Sequence, residues 1–162
     1  MARKITFIYE NELGRKHFVS NRDILVAELQ RLESTGGSHL IIKTEPHIEN
    51  VTFIQVAHNT FTKKGLFKTK TRDSYQIELQ TSSEKGCNQY RFETEDFSII
   101  QRIFTDYYDS HKIPDYSSWE DITKENPNWA ELNKQSVIIA EHKRKTTIPS
   151  LLSDSTGTPS YV

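Results

Sequence analysis

Six histidines and one cysteine are the side chains of this 162-residue sequence best suited to metal or nucleophile chemistry. His17, His39, His47, His58, His111 and His142 are scattered, without H-x-E, H-E-x-x-H or paired-cysteine spacing, so nothing preassembles a zinc site. The zinc-deaminase signature is missing as well. Cys87 lies in "SEKGCNQ", beside Gly86 and away from any base that would activate a thiolate, and no G-x-S-x-G elbow occurs. Gly14, Gly36, Gly37 and Gly65 do not combine into a phosphate-cradling loop. The reading is of a protein that binds rather than catalyses, with no cofactor and no metal.

Two other stretches offer recognition chemistry. "HNTFTKKGLFKTKTR", His58 to Arg72, interleaves Lys63, Lys64, Lys68, Lys70 and Arg72 with Phe61 and Phe67 and contains no acid. Such a mixture tracks phosphates and stacks bases, which makes nucleic acid the alternative partner; a solvated charged connection between strands, as a hairpin with a long flexible tip usable for docking to a protein, is the plainer account. Further on, Asp106, Asp109, Asp115, Glu120 and Asp121 alternate with Tyr107, Tyr108, Tyr116 and Trp119. Stiff aromatic anchors beside negative charge suit an interface, where rings give residence time and carboxylates speed encounter with a basic partner. The partner-binding set expected from the sequence is therefore Asp106, Tyr108, Asp109, Asp115, Tyr116, Trp119, Glu120 and Asp121. The plain reading of each is a surface acid or a core ring.

The charge distribution agrees. The formal net charge is −1, but residues 93–131 hold three Lys/Arg against ten Asp/Glu, while residues 1–92 are net positive. Charge asymmetry shapes association and partner choice rather than fold, and here it points to a protein with a cationic face.

The elements that must position these residues follow from periodicity. "KITFIY" is β-rich, and Asn11 and Gly14 turn the chain after it. Ser20 begins a Ser-x-x-Asp capping-box variant ahead of Leu25, Leu29 and Leu32, which predicts a helix over about 21–33, stopped by Gly36 and Gly37. "HLIIKT" and "VTFIQVA" read as a hairpin turned by Pro46 and Asn50; "SYQIELQ" and "NQYRFE" read as another, joined by "TSSEKGC". Thr94 is the expected cap of a second helix, with Phe97, Ile100, Phe104 and Tyr107 or Tyr108 on its apolar face to about Asp109. Pro114 stops it, and Trp119 and Ile122 are expected to fold back onto the core. Pro127 opens a possible short helix, and "SVIIAE" is read as a strand or that helix's end. The sum is an α+β fold, an antiparallel curved sheet with helices packed on one face. Residues 1–142 form one domain and 143–162 a flexible polar tail, poor in core formers. The apolar run at the start is too short for a signal peptide or a span, and Cys87 has no internal disulfide partner, so a cytoplasmic protein with no membrane partner is expected.

The stretch "FSIIQRIFTDYYDSHKIPDYSSWEDI" adds a likeness. An amphipathic helix ending in aromatics, a Lys-x-Pro segment, then Trp119 followed by acids resembles a bacterial immunity-protein family that neutralises polymorphic, deaminase-type toxins delivered by contact. The preceding helix "DILVAELQRLES" and β-rich "HLIIKTEP" are similar in order, so the likeness spans about residues 18–122. Pro114, Trp119 and Asp121 match the family's pattern; the basic stretch 58–72 and everything after Asn126 depart from it. The resemblance implies a non-catalytic inhibitor that binds a cognate toxin in the producing cell, occluding its basic active-site cleft.

Overall fold

A computed structural model describes residues 3–125 of the chain. Seven strands form one antiparallel sheet in the order β2-β1-β3-β4-β5-β6-β7: β1 Thr6–Asn11, β2 Lys16–Phe18, β3 His39–Ile48, β4 Val51–Lys64, β5 Thr69–Ser83, β6 Gly86–Thr94 and β7 Glu120–Asp121. Two helices, α1 Arg22–Ser34 and α2 Phe97–Ser110, contact it, so the class is α+β. Among the described residues no helix is long and apolar enough to cross a membrane.

The strand alternation decides which face is covered. Phe7 and Tyr9, Leu40 and Ile42, Ile54 and Val56, and Tyr75, Ile77 and Leu79 are all buried, while the residues between them face away. Leu25, Leu29 and Leu32 of α1 and Ile100, Phe104 and Tyr107 of α2 close over the same side, in one core. Both helices touch each other as well as the sheet.

Several boundaries differ from the sequence expectations. α1 is capped by Asn21, whose side chain accepts from the Ile24 N–H at 3.1 Å, rather than by Ser20. α2 is capped by Asp96, which accepts from the Ser98 N–H at 2.9 Å; Thr94 instead holds the Asp96 N–H at 3.1 Å, two residues earlier. Pro46 sits within β3, inside the register shift between Lys43 and Ile48, and the turn is made by Glu49 and Asn50. The expected seven-residue link between β5 and β6 shrinks to Glu84 and Lys85, because Ser83 pairs with Gly86. The stretch 58–72, expected as the long tip of a hairpin, is paired strand almost throughout, so the hairpin is there and its unpaired tip is only a few residues long: β4 and β5 stay in register from His58↔Tyr75 to Lys64↔Thr69. β2 and β7, three and two exposed residues long, carry no periodic signal and were not expected. The helix at Pro127, the "SVIIAE" element, the tail at 143–162 and the domain boundary at 142 lie outside the described residues.

Candidate functional site

The acidic, aromatic segment begins on α2 and doubles back. His111 takes the left-handed conformation (φ 53°) at the helix end, and the Lys112 N–H reaches the Asp106 carbonyl at 3.3 Å. The chain then runs to Trp119 and joins β6 through β7, with Tyr90 opposite Asp121 and Arg91 opposite Glu120. Rings hold this return in place. Tyr108 packs edge-on against Phe7 at 4.8 Å, Tyr116 lies 4.8 Å from Tyr90, and Trp119 stacks on Phe92 at 5.7 Å with planes 19° apart. All three are partly buried, so each is an anchor of the fold as well as a surface feature.

Between α2 and the return lies a groove of about 500 Å³. Phe92, Ile99, Ile103, Pro114 and Trp119 give it an apolar lining, and Arg102, Asp106, Lys112 and Asp115 supply charge. Of the eight partner-binding residues expected from sequence, the groove gathers Asp106, Asp115 and Trp119. Tyr116 lines a neighbouring open hollow with Glu49, Tyr108 turns inward, and Glu120 and Asp121 stand on the sheet edge. Asp109 is spent within the molecule, accepting from Arg22 Nε at 3.1 Å. A single anionic surface, as the sequence suggested, is therefore not what the fold builds. Arg22, Arg102 and Lys112 stand among the acids, because residues distant in sequence or a helical turn apart converge here. Among the described residues Asp106, Asp115, Glu120 and Asp121 nevertheless form no ion pair. Hydrogen bonds from Ser117 and Thr123 hold the Asp115 and Asp121 carboxyls below their ordinary range, so both are charged at neutral pH.

Sequence reasoning missed Ile99, Arg102, Ile103 and Lys112. Ile99, Arg102, Ile103 and Asp106 sit at helical spacing beside the core stripe, which was the available signal.

The basic stretch is a two-stranded ribbon that runs past the core. Every residue from Thr60 to Asp73 is exposed, with Phe61 opposite Arg72 and Lys63 opposite Lys70. Its root is tied down. His58, 3% exposed, sets Nδ1 2.7 Å from the Leu32 carbonyl and Nε2 2.9 Å from Asp73 Oδ1, while Thr60 Oγ1 donates to the same oxygen at 3.4 Å. The Gly37 N–H donates to the His58 carbonyl at 2.8 Å. A Cβ on Gly36 would come within 2.4 Å of Thr60 Oγ1, so a larger residue here would have to displace the Thr60 hydroxyl. Arg72 pairs with Glu95.

On the uncovered sheet face, Glu78 is 7% exposed and takes hydrogen bonds from Gln55, Gln76, Gln89 and both Arg91 Nε and a terminal nitrogen. Burial pushes its carboxyl up, and these donors more than reverse the effect, so it stays ionised. A carboxylate so fully satisfied is a structural group, with no lone pair turned to a substrate. Burial pushes the Cys87 thiol up, away from thiolate chemistry. No group of three metal-ligating side chains occurs among the described residues. Comparison of the chain with protein-family models, curated proteins and solved structures finds no match.

Proposed function

We propose that the chain is an immunity-type inhibitor that binds a cognate bacterial toxin domain through the groove between α2 and the returning segment. The observation that carries this reading is the partly exposed Trp119 lining an apolar groove flanked by unpaired Asp106 and Asp115, with Glu120 and Asp121 on the adjoining edge. Rings already fixed by stacking lose little freedom on binding, which suits them as anchors. A toxin acting on nucleic acid carries a cationic cleft, since phosphates dominate affinity there, and four unpaired carboxylates give an inhibitor purchase on it. Arg102 and Lys112 make the match one of alternating charge, which selects a particular partner rather than any basic surface.

The test is whether the chain captures a toxin domain from the proteins encoded in its genomic neighbourhood, with affinity and rates measured for variants. Trp119→Ala weakens binding by about 30-fold or more, as for a buried ring at an interface centre, while Trp119→Phe, which keeps the stack on Phe92, loses much less. Asp115→Asn with Asp121→Asn slows association and reduces its salt dependence. If no toxin is captured, or all these variants bind as the parent does, the reading is wrong.

A further inference from the structure

The β4–β5 ribbon has no part in the groove, and its tip breaks the rules by which hairpins are made. The Gly65 N–H donates to the Lys68 carbonyl at 3.0 Å, closing a turn with Leu66 and Phe67 at its centre. Two-residue connections favour Asn and Gly at positive φ, whose twist matches the strands; neither Leu66 nor Phe67 has a positive φ. Leu66 is 97% exposed and Phe67 96%, so neither is held by packing. Neither turn chemistry nor the core accounts for two large apolar side chains here, and such local violations mark function.

The cations behind the tip are equally unexplained by folding. Lys63 and Lys70 stand directly opposite each other, a like-charge pair that destabilises the ribbon. Lys64 and Lys68 flank them, and among the described residues none of the four is ion-paired. Their placement identifies the partner's shape. All four lie in the turn or within two cross-strand levels of it, a span of roughly 7 Å at about 3.3 Å per residue. Nearer the body come acids, Asp73 in the ribbon and Glu95 on Arg72. A nucleic-acid strand laid along the ribbon would meet these carboxylates, whereas a flat anionic surface approached end-on meets only the lysine collar and the apolar tip. Lysine stems reach from such a collar to headgroup phosphates while adjacent apolar side chains enter the acyl boundary.

We propose that the ribbon is a membrane-contact arm: Leu66 and Phe67 enter the interface of an anionic bilayer while Lys63, Lys64, Lys68 and Lys70 bind lipid phosphates. This goes beyond the toxin-binding reading and departs from the sequence expectation of no membrane partner, since a surface contact needs neither a spanning helix nor a leader segment. The rooting of the ribbon by His58, Asp73 and Gly36 orients the tip before contact, so little order has to be gained on binding.

The test is co-sedimentation of the full chain with vesicles of phosphatidylcholine containing phosphatidylserine, against phosphatidylcholine alone. The parent chain partitions to the anionic vesicles about tenfold or more better than to neutral ones, and added salt releases it, since the collar acts through charge. Leu66→Asn with Phe67→Gly loses about tenfold or more of that binding while its thermal unfolding is unchanged or raised, because Asn-Gly is the better turn. Lys63→Gln with Lys70→Gln loses the preference for anionic lipid without loss of fold. The proposal is overturned if the parent chain stays in the supernatant with anionic vesicles, or if the Asn-Gly variant sediments as the parent does. It is equally overturned if the tip and collar variants lose oligonucleotide binding instead, which would make the arm a nucleic-acid contact.

Discussion

At the scale of single residues, the most informative pair is Glu12 with Arg31. Glu12 lies in the β1–β2 turn, and Arg31 in the last turn of α1; the guanidinium bonds both carboxylate oxygens, one of them at 2.9 Å from its second terminal nitrogen. Glu12 also accepts from the His39 N–H at 3.3 Å, so one side chain ties turn, helix and β3 together. The hydrogen bond from Arg31 holds its carboxyl down at about 2, against an ordinary 4.5. A carboxyl depressed in the folded state contributes stability that is fully present above its unfolded pKa and is lost as pH falls through the folded one. Glu12→Gln therefore costs about 1–2 kcal/mol at neutral pH, with the loss shrinking as acid is added below 4.5 and vanishing near 2. Denaturant unfolding of both proteins across that range checks it; parallel stability curves would show that the pair contributes no pH dependence. None of this was legible in the sequence, since the partners are 19 residues apart and belong to different elements.

At the scale of elements, legibility followed burial. α2 was plain because Phe97, Ile100, Phe104 and Tyr107 repeat at helical spacing against the core, and the strands Tyr75–Leu79 and Tyr90–Phe92 were plain because one face of each is apolar. The pairing within the ribbon is hidden for the same reason in reverse. From Thr60 to Asp73 both faces meet solvent, so no alternation records the pairing, and only the partner strand reveals it. The groove was half legible. Its aromatics and acids were visible as residue types, but which acid is free and which is bound depends on a contact such as Arg22 with Asp109, 87 residues away. Caps were placed within a residue or two, where adjacent polar residues compete. That competition gives a clean test: Asn21→Ala costs about 1 kcal/mol of stability and Ser20→Ala close to nothing, because only Asn21 holds an N–H of the first turn. Thermal or denaturant unfolding distinguishes them, and the opposite order would return the cap to Ser20.

At the scale of the whole molecule, one core joins five strands and both helices, and the two helices press on each other over it. Among the described residues no group of elements keeps a private core. Unfolding should then be all-or-none, with far-ultraviolet and near-ultraviolet circular dichroism tracing a single coincident transition in urea; separated midpoints would reveal a subdomain that the packing does not show. The two proposed partner surfaces differ in kind within this unit: the groove rests on side chains that also hold the core, whereas the ribbon tip rests on nothing. Substitutions in the groove carry a stability cost that substitutions at the tip do not, so the two interactions can be removed separately.

The order of strands also bears on behaviour in concentrated solution. The sheet's longest members, of 14 and 15 residues, sit in its interior, and its flanks are strands of three and two. Beside the core such stubs leave an incoming chain few open amide groups to template on; residues 59–64 and 69–74 pair only with each other among the described residues, so the ribbon is the place where the sheet still offers an unpaired edge.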